Sequence, residues 1–316
     1  MDARAGQPAE FRQDLRTRSF DSNRNLSRRQ VKNSNRYLFP AQRVHSVPEC
    51  ATIETPRDGW TTRPSRTPPA LIRHAAYLVR GFVPLEICQR IAANFWASPE
   101  RVPRYGEGED GVEAYLIGAS HYGKPTSTYL NEVLGCKAAV ESLYTGTINP
   151  VAAFRDTLAS RITVRAASLN GLPAGDCKAV YWNNVGPFLL EPHDDLAQVK
   201  DPIQADFEIQ QVDRVMAVNI YAAVAERSGQ LQVWNIEPDD RTRAQLGLTN
   251  VGFPYPAKLL TEYPSLTIAV ETGDLCIGNG NLVHAVLRGD ADSPRSRLLL
   301  TCFMGRNIND ELIWWT

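Results

Sequence analysis

The sequence predicts an α+β protein in which helices come first and a β-sandwich or β-barrel follows. Two observations indicate this class. Between about residues 85 and 162, apolar residues recur at the spacing of helices with one buried face. From about residue 178 the apolar period shortens, and short strand-like segments alternate with Gly, Asp, Asn and Pro turns. Strands of this kind pair in the antiparallel sense and build the core.

Residues 1–70 differ in composition from the rest of the chain. They contain 13 Lys and Arg against 7 Asp and Glu, few large apolar residues, and stretches rich in Arg, Ser, Asn and Pro. This composition predicts an extended or partly disordered arm. The alternative is a basic arm that steers an anionic substrate or partner. We therefore predict a boundary near residue 70 and a single domain over residues 71–316.

A predicted strand precedes the first predicted helix. AAYLVRGFVP is rich in β-branched and aromatic residues and is closed by Pro84. Ile87, Ile91 and Phe95 then recur every four residues, which predicts an amphipathic helix over LEICQRIAANFWAS. Two more helices are predicted at TSTYLNEVLGCKAAVESLYT and PVAAFRDTLASRI.

The strand part follows, with a short helix around RTRAQLGL between its strands. The predicted strands are KAVYWNNV, RVMAVNIYAAV, GQLQVWNI, LTIAVET, GDLCIGNG, LVHAVL and RLLLTCFMG.

Composition excludes several classes of protein. The 316 residues carry a formal net charge of −1, which gives no electrostatic reason to expect nucleic acid or an anionic membrane as a partner. No apolar run approaches the roughly 18 residues of a membrane span, and the start of the chain lacks the apolar core of a secretory signal. The six cysteines form no CxxC pair and are predicted to be reduced thiols. We expect a cytoplasmic protein.

Two histidines and one aspartate are candidate metal ligands. His193 and Asp195 lie two residues apart in LLEPHDDLAQ, and on an extended backbone their side chains point the same way. His284 lies between two predicted strands in GDLCIGNGNLVHAVL. Such a set holds Fe(II) on one face and leaves three coordination positions open. The alternative is that both histidines are ordinary core residues.

Arg297 opens a strand, RLLLTCFMG, that is otherwise uncharged. Alternation places it on one face with Leu299, Thr301 and Phe303. If that face lines a barrel interior, the guanidinium needs an anion, and its geometry suits a carboxylate. The alternative is a strand end that faces solvent.

Together these features resemble the Fe(II)- and 2-oxoglutarate-dependent oxygenases. The resemblance covers roughly residues 75–305 and includes YLVRGFVPLEICQRIA, His193-x-Asp195, VMAVNIYAAVAERSGQLQVW, the segment of His284, and Arg297 thirteen residues later. The chain is most similar to the compact members that act on free amino acids and other small natural-product molecules, including freestanding halogenases and related hydroxylases. The resemblance implies a double-stranded β-helix (jelly-roll, cupin-like) core over about residues 176–305, with supporting N-terminal helices.

The resemblance also implies roles for matching residues. His193, Asp195 and His284 would hold Fe(II). Arg297 would pair with the distal carboxylate of 2-oxoglutarate, and Thr301 would assist it. Polar residues on other predicted strands are further candidates for holding the co-substrate, although each is equally an ordinary core residue: Tyr181, Asn183, Asn219 and Tyr221.

The implied reaction uses O₂ and 2-oxoglutarate, releases succinate and CO₂, and abstracts hydrogen from a small molecule such as an amino acid or a natural-product intermediate. Hydroxylation is the expected outcome, and desaturation or oxidative cyclisation would begin with the same abstraction. Related halogenases carry Gly or Ala at the carboxylate position, so Asp195 disfavours halogenation.

Two other classes of function stay open. A hydrolase would use the same ligands around Zn²⁺ with a bound water. A non-enzymatic small-molecule binding barrel would hold no metal. His121 is expected to be an exposed loop histidine, and the C-terminal LIWWT either caps a hydrophobic surface or contributes to a homodimer.

Overall fold

A computed structural model describes residues 50–54, 74–103, 113–183, 187–288 and 297–316, without the side chains of residues 50–54 and 113. Most of the predicted arm lies outside these residues. The described part of the arm includes strand β1, Cys50–Glu54, which pairs in parallel with β2, Ala76–Arg80. The boundary near residue 70 stays a prediction.

The four predicted helices are present, and two short helices that the sequence did not indicate, Leu196–Val199 and Ala257–Leu260, add to them. In chain order they are α1 (Leu85–Ala97), α2 (Thr126–Ser142), α3 (Pro150–Ala159), α4 (Leu196–Val199), α5 (Asp240–Leu246) and α6 (Ala257–Leu260). Helix α1 buries Cys88, Ile91 and Phe95, the face that the four-residue spacing indicates. Its C-terminal end is closed by Arg101, whose guanidinium donates to the Trp96 carbonyl at 2.6 Å.

The remaining strands follow the predicted segments and add several that the sequence did not indicate. They are β3 (Val102–Pro103), β4 (Glu113–Ile117), β5 (Val164–Ala166), β6 (Ser168–Leu169), β7 (Leu172–Pro173), β8 (Lys178–Asn183), β9 (Phe188–His193), β10 (Met216–Val224), β11 (Leu231–Trp234), β12 (Ser265–Ile268), β13 (Leu275–Asn279), β14 (His284–Leu287), β15 (Arg297–Arg306) and β16 (Leu312–Trp315).

Two facing sheets form the core. The larger sheet contains the order β13-β10-β15-β8, extended by β2 and β1 at one edge and by β4 and β3 at the other. The smaller sheet has the order β12-β11-β14-β9. From β8 to β15 the chain passes repeatedly between the two sheets, so each sheet is built from strands distant in sequence. This interleaved topology is the predicted double-stranded β-helix, and the predicted fold class is confirmed.

Strand β15 shows how the two faces of the larger sheet differ. Leu298, Leu300 and Cys302 pack outward in one apolar cluster with residues of α1. Leu299 packs inward with residues of the smaller sheet, among them Val286. Arg297 and Thr301 share the inward face with Leu299, as the alternation predicts.

The C-terminal segment belongs to the core of its own chain. Strand β16 pairs antiparallel with β15 and parallel with β5. Trp314 and Trp315 are both fully buried. The LIWWT segment therefore covers an apolar surface within the chain.

The structure bears on two predictions made from composition, the absence of a membrane span and the state of the cysteines. None of the helices in the described ranges is long and apolar enough to cross a membrane. Cysteines in the same ranges are free thiols, as predicted: Cys88, Cys136, Cys177, Cys276 and Cys302.

Candidate metal centre

The two candidate histidines face each other across a strand pair. His193 ends β9, His284 begins β14, and the two residues are direct cross-strand partners. Their ring centroids lie 4.1 Å apart. Antiparallel pairing thus brings together two side chains that are 91 residues apart in the sequence.

Asp195 reaches the histidines by a route that differs from the predicted one. Strand β9 ends at His193, and Asp195 has φ −84° and ψ −21° at the N-terminal end of α4. The backbone is therefore not extended at Asp195, and a strand-to-helix turn carries the carboxylate inward. Its oxygens lie 3.7 Å from His193 Nε2 and 3.5 Å from His284 Nε2.

The imidazole tautomers are set by backbone carbonyls. His193 Nδ1 lies 2.8 Å from the Glu191 carbonyl oxygen, and His284 Nδ1 lies 2.8 Å from the Leu282 carbonyl oxygen. A carbonyl oxygen only accepts, so each Nδ1 carries the proton and each Nε2 keeps its lone pair. In both rings, Nε2 is the nitrogen that lies near the Asp195 carboxylate. Metal-binding histidines are commonly oriented in this way, with the other ring nitrogen donating to a carbonyl.

One oxygen of the buried Asp195 carboxylate has no hydrogen-bond donor in the described ranges to compensate its charge. The residue is 4% exposed, and Oδ2 accepts no hydrogen bond from any residue in the described ranges. Burial raises the pKa of Asp195 to about 6, while the neighbouring His284 acts in the opposite direction. One ligand atom from each of His193, Asp195 and His284 lies within 4.8 Å of the others. A divalent metal fits this donor set, because it would compensate the buried charge and bind the Nε2 atoms of both imidazoles.

A buried ion pair fixes the chain between two of the ligands. Asp194 is fully buried and accepts from Arg243 Nη2 at 2.9 Å and Nε at 3.2 Å. The Tyr255 hydroxyl donates to the same carboxylate at 2.7 Å, and the Ala197 amide donates at 3.0 Å. With its oxygens fully occupied in this way, Asp194 holds the turn that positions His193 and Asp195.

Two glycines leave room for this turn. A Cβ on Gly280 would lie 2.5 Å from Asp195 Oδ2, and the Asp195 amide donates to the Gly280 carbonyl at 2.7 Å. A Cβ on Gly252, which has φ +63°, would lie 2.5 Å from the Asp194 carbonyl oxygen. Sequence reasoning singled out neither glycine for this role, nor Asp194 and Arg243. The one available signal was the glycine-marked CIGNGN segment.

Arg297 is buried inside the barrel with donors to spare. It is 1% exposed, and its Nη2 lies 3.4 Å from the Tyr221 hydroxyl. Its Nε and Nη1 have no hydrogen-bond partner within the described part of the chain. The rings of Trp182 and Tyr221 flank the guanidinium at 5.5 and 5.3 Å. Gly229 makes space, because a Cβ there would lie 2.5 Å from Arg297 Cδ. An entering carboxylate suits this site.

The other predicted co-substrate residues separate into two groups. Thr301 and Asn219 are cross-strand partners on the inward face, and the Thr301 hydroxyl donates to Asn219 Oδ1 at 2.7 Å. Tyr181 instead packs on the outward face of β8, 4.9 Å from Trp96 and 6.2 Å from Tyr115 between ring centroids. Asn183 follows Tyr181 in the strand alternation. The structure does not bring Tyr181 or Asn183 to the barrel interior.

Two buried residues without a predicted role in the metal centre lie against Phe303. Lys178 donates from Nζ to Ser120 Oγ at 2.9 Å and lies 5.4 Å from the Phe303 ring centroid. His121 is 1% exposed, so the expectation of an exposed loop histidine is wrong. The segment of His121 folds against β16, where its amide donates to the Thr316 carbonyl at 2.8 Å. Burial, and next the charge of Lys178, lower the pKa of His121 to about 3.

Comparisons with known proteins were made at three levels. No family model matches the chain. The chain is 31% identical over 254 residues to L-isoleucine 3(1)-dioxygenase of Pantoea ananatis, covering 76% of this chain and 83% of that protein. It is 29% identical over 109 residues to L-gamma-glutamyl-L-propargylglycine hydroxylase of Streptantibioticus cattleyicolor, covering 34% of this chain and 38% of that protein.

Solved structures are similar to a lesser degree. The epimerase SnoN from nogalamycin biosynthesis matches with a TM-score of 0.41 and 15% identity, covering 72% of this chain and 76% of that one. An N-substituted L-amino acid dioxygenase from Burkholderia ambifaria matches with a TM-score of 0.41 and 13% identity, covering 73% and 91%.

Proposed function

This chain belongs to the family of Fe(II)- and 2-oxoglutarate-dependent oxygenases, and on that premise we propose that it hydroxylates an aliphatic C–H bond of a free L-amino acid. The observation that carries the proposal is the set of His193 and Asp195, both buried, and half-buried His284, with ligand atoms within 4.8 Å of one another. The unpartnered guanidinium of Arg297 adds a site for the co-substrate.

The residues present fit the cofactors of the family. Fe(II) would be held by Nε2 of His193 and His284 and by the Asp195 carboxylate, and Arg297 would take the distal carboxylate of 2-oxoglutarate. When bound, iron with 2-oxoglutarate and O₂ supplies the oxidising power that removes a hydrogen atom from the substrate, with release of succinate and CO₂.

The chain itself supplies orientation and an apolar surrounding. The carbonyls of Glu191 and Leu282 keep the Nδ1 protons in place, so neither imidazole rotates away. The Asp194–Arg243 pair keeps the ligand turn fixed. Apolar side chains of both sheets fill the interior between the sheets and exclude water from it: Val180, Leu189, Leu231, Val286 and Leu299.

Two observations support hydroxylation of an amino acid in particular. Asp195 occupies a coordination position that a halogenase of this family leaves to chloride, which favours hydroxylation. The two relatives are named for action on L-isoleucine, a free amino acid, and on L-gamma-glutamyl-L-propargylglycine, a dipeptide.

The test is succinate formation under O₂ across a panel of L-amino acids, dipeptides and nucleosides. We expect at least one aliphatic L-amino acid to raise succinate well above the uncoupled background, and mass spectrometry of the product to show one added oxygen atom. A product that is two hydrogen atoms lighter than the substrate would indicate desaturation or cyclisation. Stimulation by nucleosides alone would contradict the proposal, and turnover without O₂ would indicate the zinc hydrolase.

The sequence adds further predictions that belong with this proposal. We propose a cytoplasmic protein that acts without nucleic-acid or membrane partners, and we keep the homodimer as an alternative to a monomer. We also propose an arm over residues 1–70 and a single oxygenase domain over residues 71–316. Light scattering on the purified protein tests the dimer.

A further inference from the structure

The inward face of β8 carries a lysine at one end. Val180 and Trp182 pack inward, in an apolar cluster with residues of both sheets. Lys178 follows the same alternation, and its cross-strand partner is Thr301 of the inward face. The residue is 6% exposed, with Nζ bonded to Ser120 Oγ and placed 5.4 Å from the ring centroid of Phe303. The ammonium is therefore directed into the barrel.

The His121 ring is a second polar group that packs against Phe303. The His121 ring meets the Phe303 ring edge to face at 5.7 Å between centroids. Its Nδ1 lies 3.1 Å from the Thr316 carbonyl, so Nδ1 carries the proton and Nε2 is left as an acceptor. Nε2 is buried and has no hydrogen-bond partner in the described ranges. A buried acceptor in this state is costly unless a ligand completes it.

Lys178 and Arg297, the buried cations on the inward face of the larger sheet in the described ranges, lie apart. Arg297 begins β15, whereas Lys178 pairs with Thr301, four residues further along the strand or about 13 Å. One molecule of 2-oxoglutarate would use its distal carboxylate on Arg297 and its other end on the metal. The Lys178 ammonium, beside Ser120 Oγ and the Phe303 ring, is thus placed for a different anion.

We propose that Lys178 and the Ser120 hydroxyl bind the α-carboxylate of the amino-acid substrate, and that His121 Nε2 accepts a hydrogen bond from its α-ammonium group. This inference rests on the proposed function and names how that substrate is held. Carboxylate and ammonium share one carbon atom, so their partners have to be neighbours, and Lys178 and His121 both lie against Phe303. With its polar end fixed there, the substrate directs its aliphatic side chain toward the metal.

The experiment measures binding without turnover. Calorimetry on the protein loaded with Ni²⁺ and 2-oxoglutarate compares L-isoleucine with L-isoleucinamide, which lacks the negative charge. The wild type is expected to bind the acid more tightly than the amide by about 10- to 100-fold, the value of a charge-assisted hydrogen bond. Lys178→Met should lose that preference by weakening only the acid. Ser120→Ala should reduce the preference part of the way.

Controls separate a binding role from a structural one. Lys137→Met removes an exposed lysine of α2 and should bind both ligands as the wild type does. Lys178→Arg keeps the charge and should retain most of the preference. The inference is overturned if Lys178→Met weakens acid and amide equally, if it weakens 2-oxoglutarate instead, or if the wild type shows no preference. A Lys178-dependent preference in a protein that turns over no amino acid would retain the carboxylate site and refute the proposed hydroxylation.

Discussion

At the scale of single residues, the metal centre depends on space as much as on ligands. The Asp195 carboxylate occupies a position that only glycine at residue 280 leaves free. Gly278, two residues earlier in β13, has a different surrounding, since a Cβ there would meet only the Ala217 carbonyl at 4.0 Å. The two glycines therefore form a matched pair for testing the role of this space.

Gly280→Ala is expected to displace the Asp195 carboxylate and to weaken Fe(II) binding by about 10- to 100-fold, the usual effect of disturbing the support of a ligand. Gly278→Ala should bind Fe(II) as the wild type does. Anaerobic metal titration of both variants measures the difference. Equal affinities in the two variants would show that the space at Gly280 plays no part in the metal site.

The buried Asp195 also makes the metal-free protein sensitive to pH. Its pKa is raised to about 6 from an ordinary 3.8, so between these values the folded state holds a proton that the unfolded state has released. The free energy of unfolding of the metal-free protein should therefore fall as pH rises from about 4 to 6, by about 3 kcal/mol in total.

Asp195→Asn removes this titration. Relative to the wild type, the metal-free variant should gain almost nothing near pH 4 and about 3 kcal/mol above pH 6. Urea unfolding at a series of pH values measures the gain. A gain that is the same at every pH would contradict the assignment of the titration to Asp195.

At the scale of elements, the turn between β9 and α4 is tied to α5 by one ion pair. Arg243 of α5 and Asp194 are both buried, and they lie 49 residues apart in sequence. Removing the guanidinium leaves a buried carboxylate uncompensated, which is far worse for stability than the loss of an exposed pair.

Arg243→Met is expected to lower the free energy of unfolding by about 3 to 5 kcal/mol. It should also weaken Fe(II) binding, because the turn that carries Asp195 loses its anchor. The neighbouring Arg241 is exposed, so Arg241→Met serves as the control and should change neither quantity. Urea unfolding and metal titration test this, and intact stability in Arg243→Met would refute the anchoring role.

At the scale of the whole molecule, much of the fold follows from the sequence because strand and helix periods are local. The order of helices and strands, the inward face of β15 and the fold class were all readable in this way. Membership of the family confirms the predicted enzyme class and its cofactors. The candidate ligands were readable because their spacing matches that family.

What the sequence did not reveal depends on contacts between distant segments. Tyr181 was a co-substrate candidate because it is a polar residue on a predicted barrel strand. Strand β8 is buried on both faces, so the pattern could not show which residues point inward. Asp194 with Arg243, and Lys178 with His121, become neighbours only after the chain folds. Nothing in their local sequence indicates these pairings.

The central claim is that His193, Asp195 and His284 hold iron beside a 2-oxoglutarate site at Arg297. Anaerobic addition of Fe(II) and 2-oxoglutarate to the metal-free protein tests it most directly, through the weak visible charge-transfer band of the chelate. The band should form in the wild type, vanish in the Asp195→Ala/His284→Ala double variant, and require much more 2-oxoglutarate in Arg297→Met. A wild type without the band, or a double variant with an unchanged one, would contradict the claim.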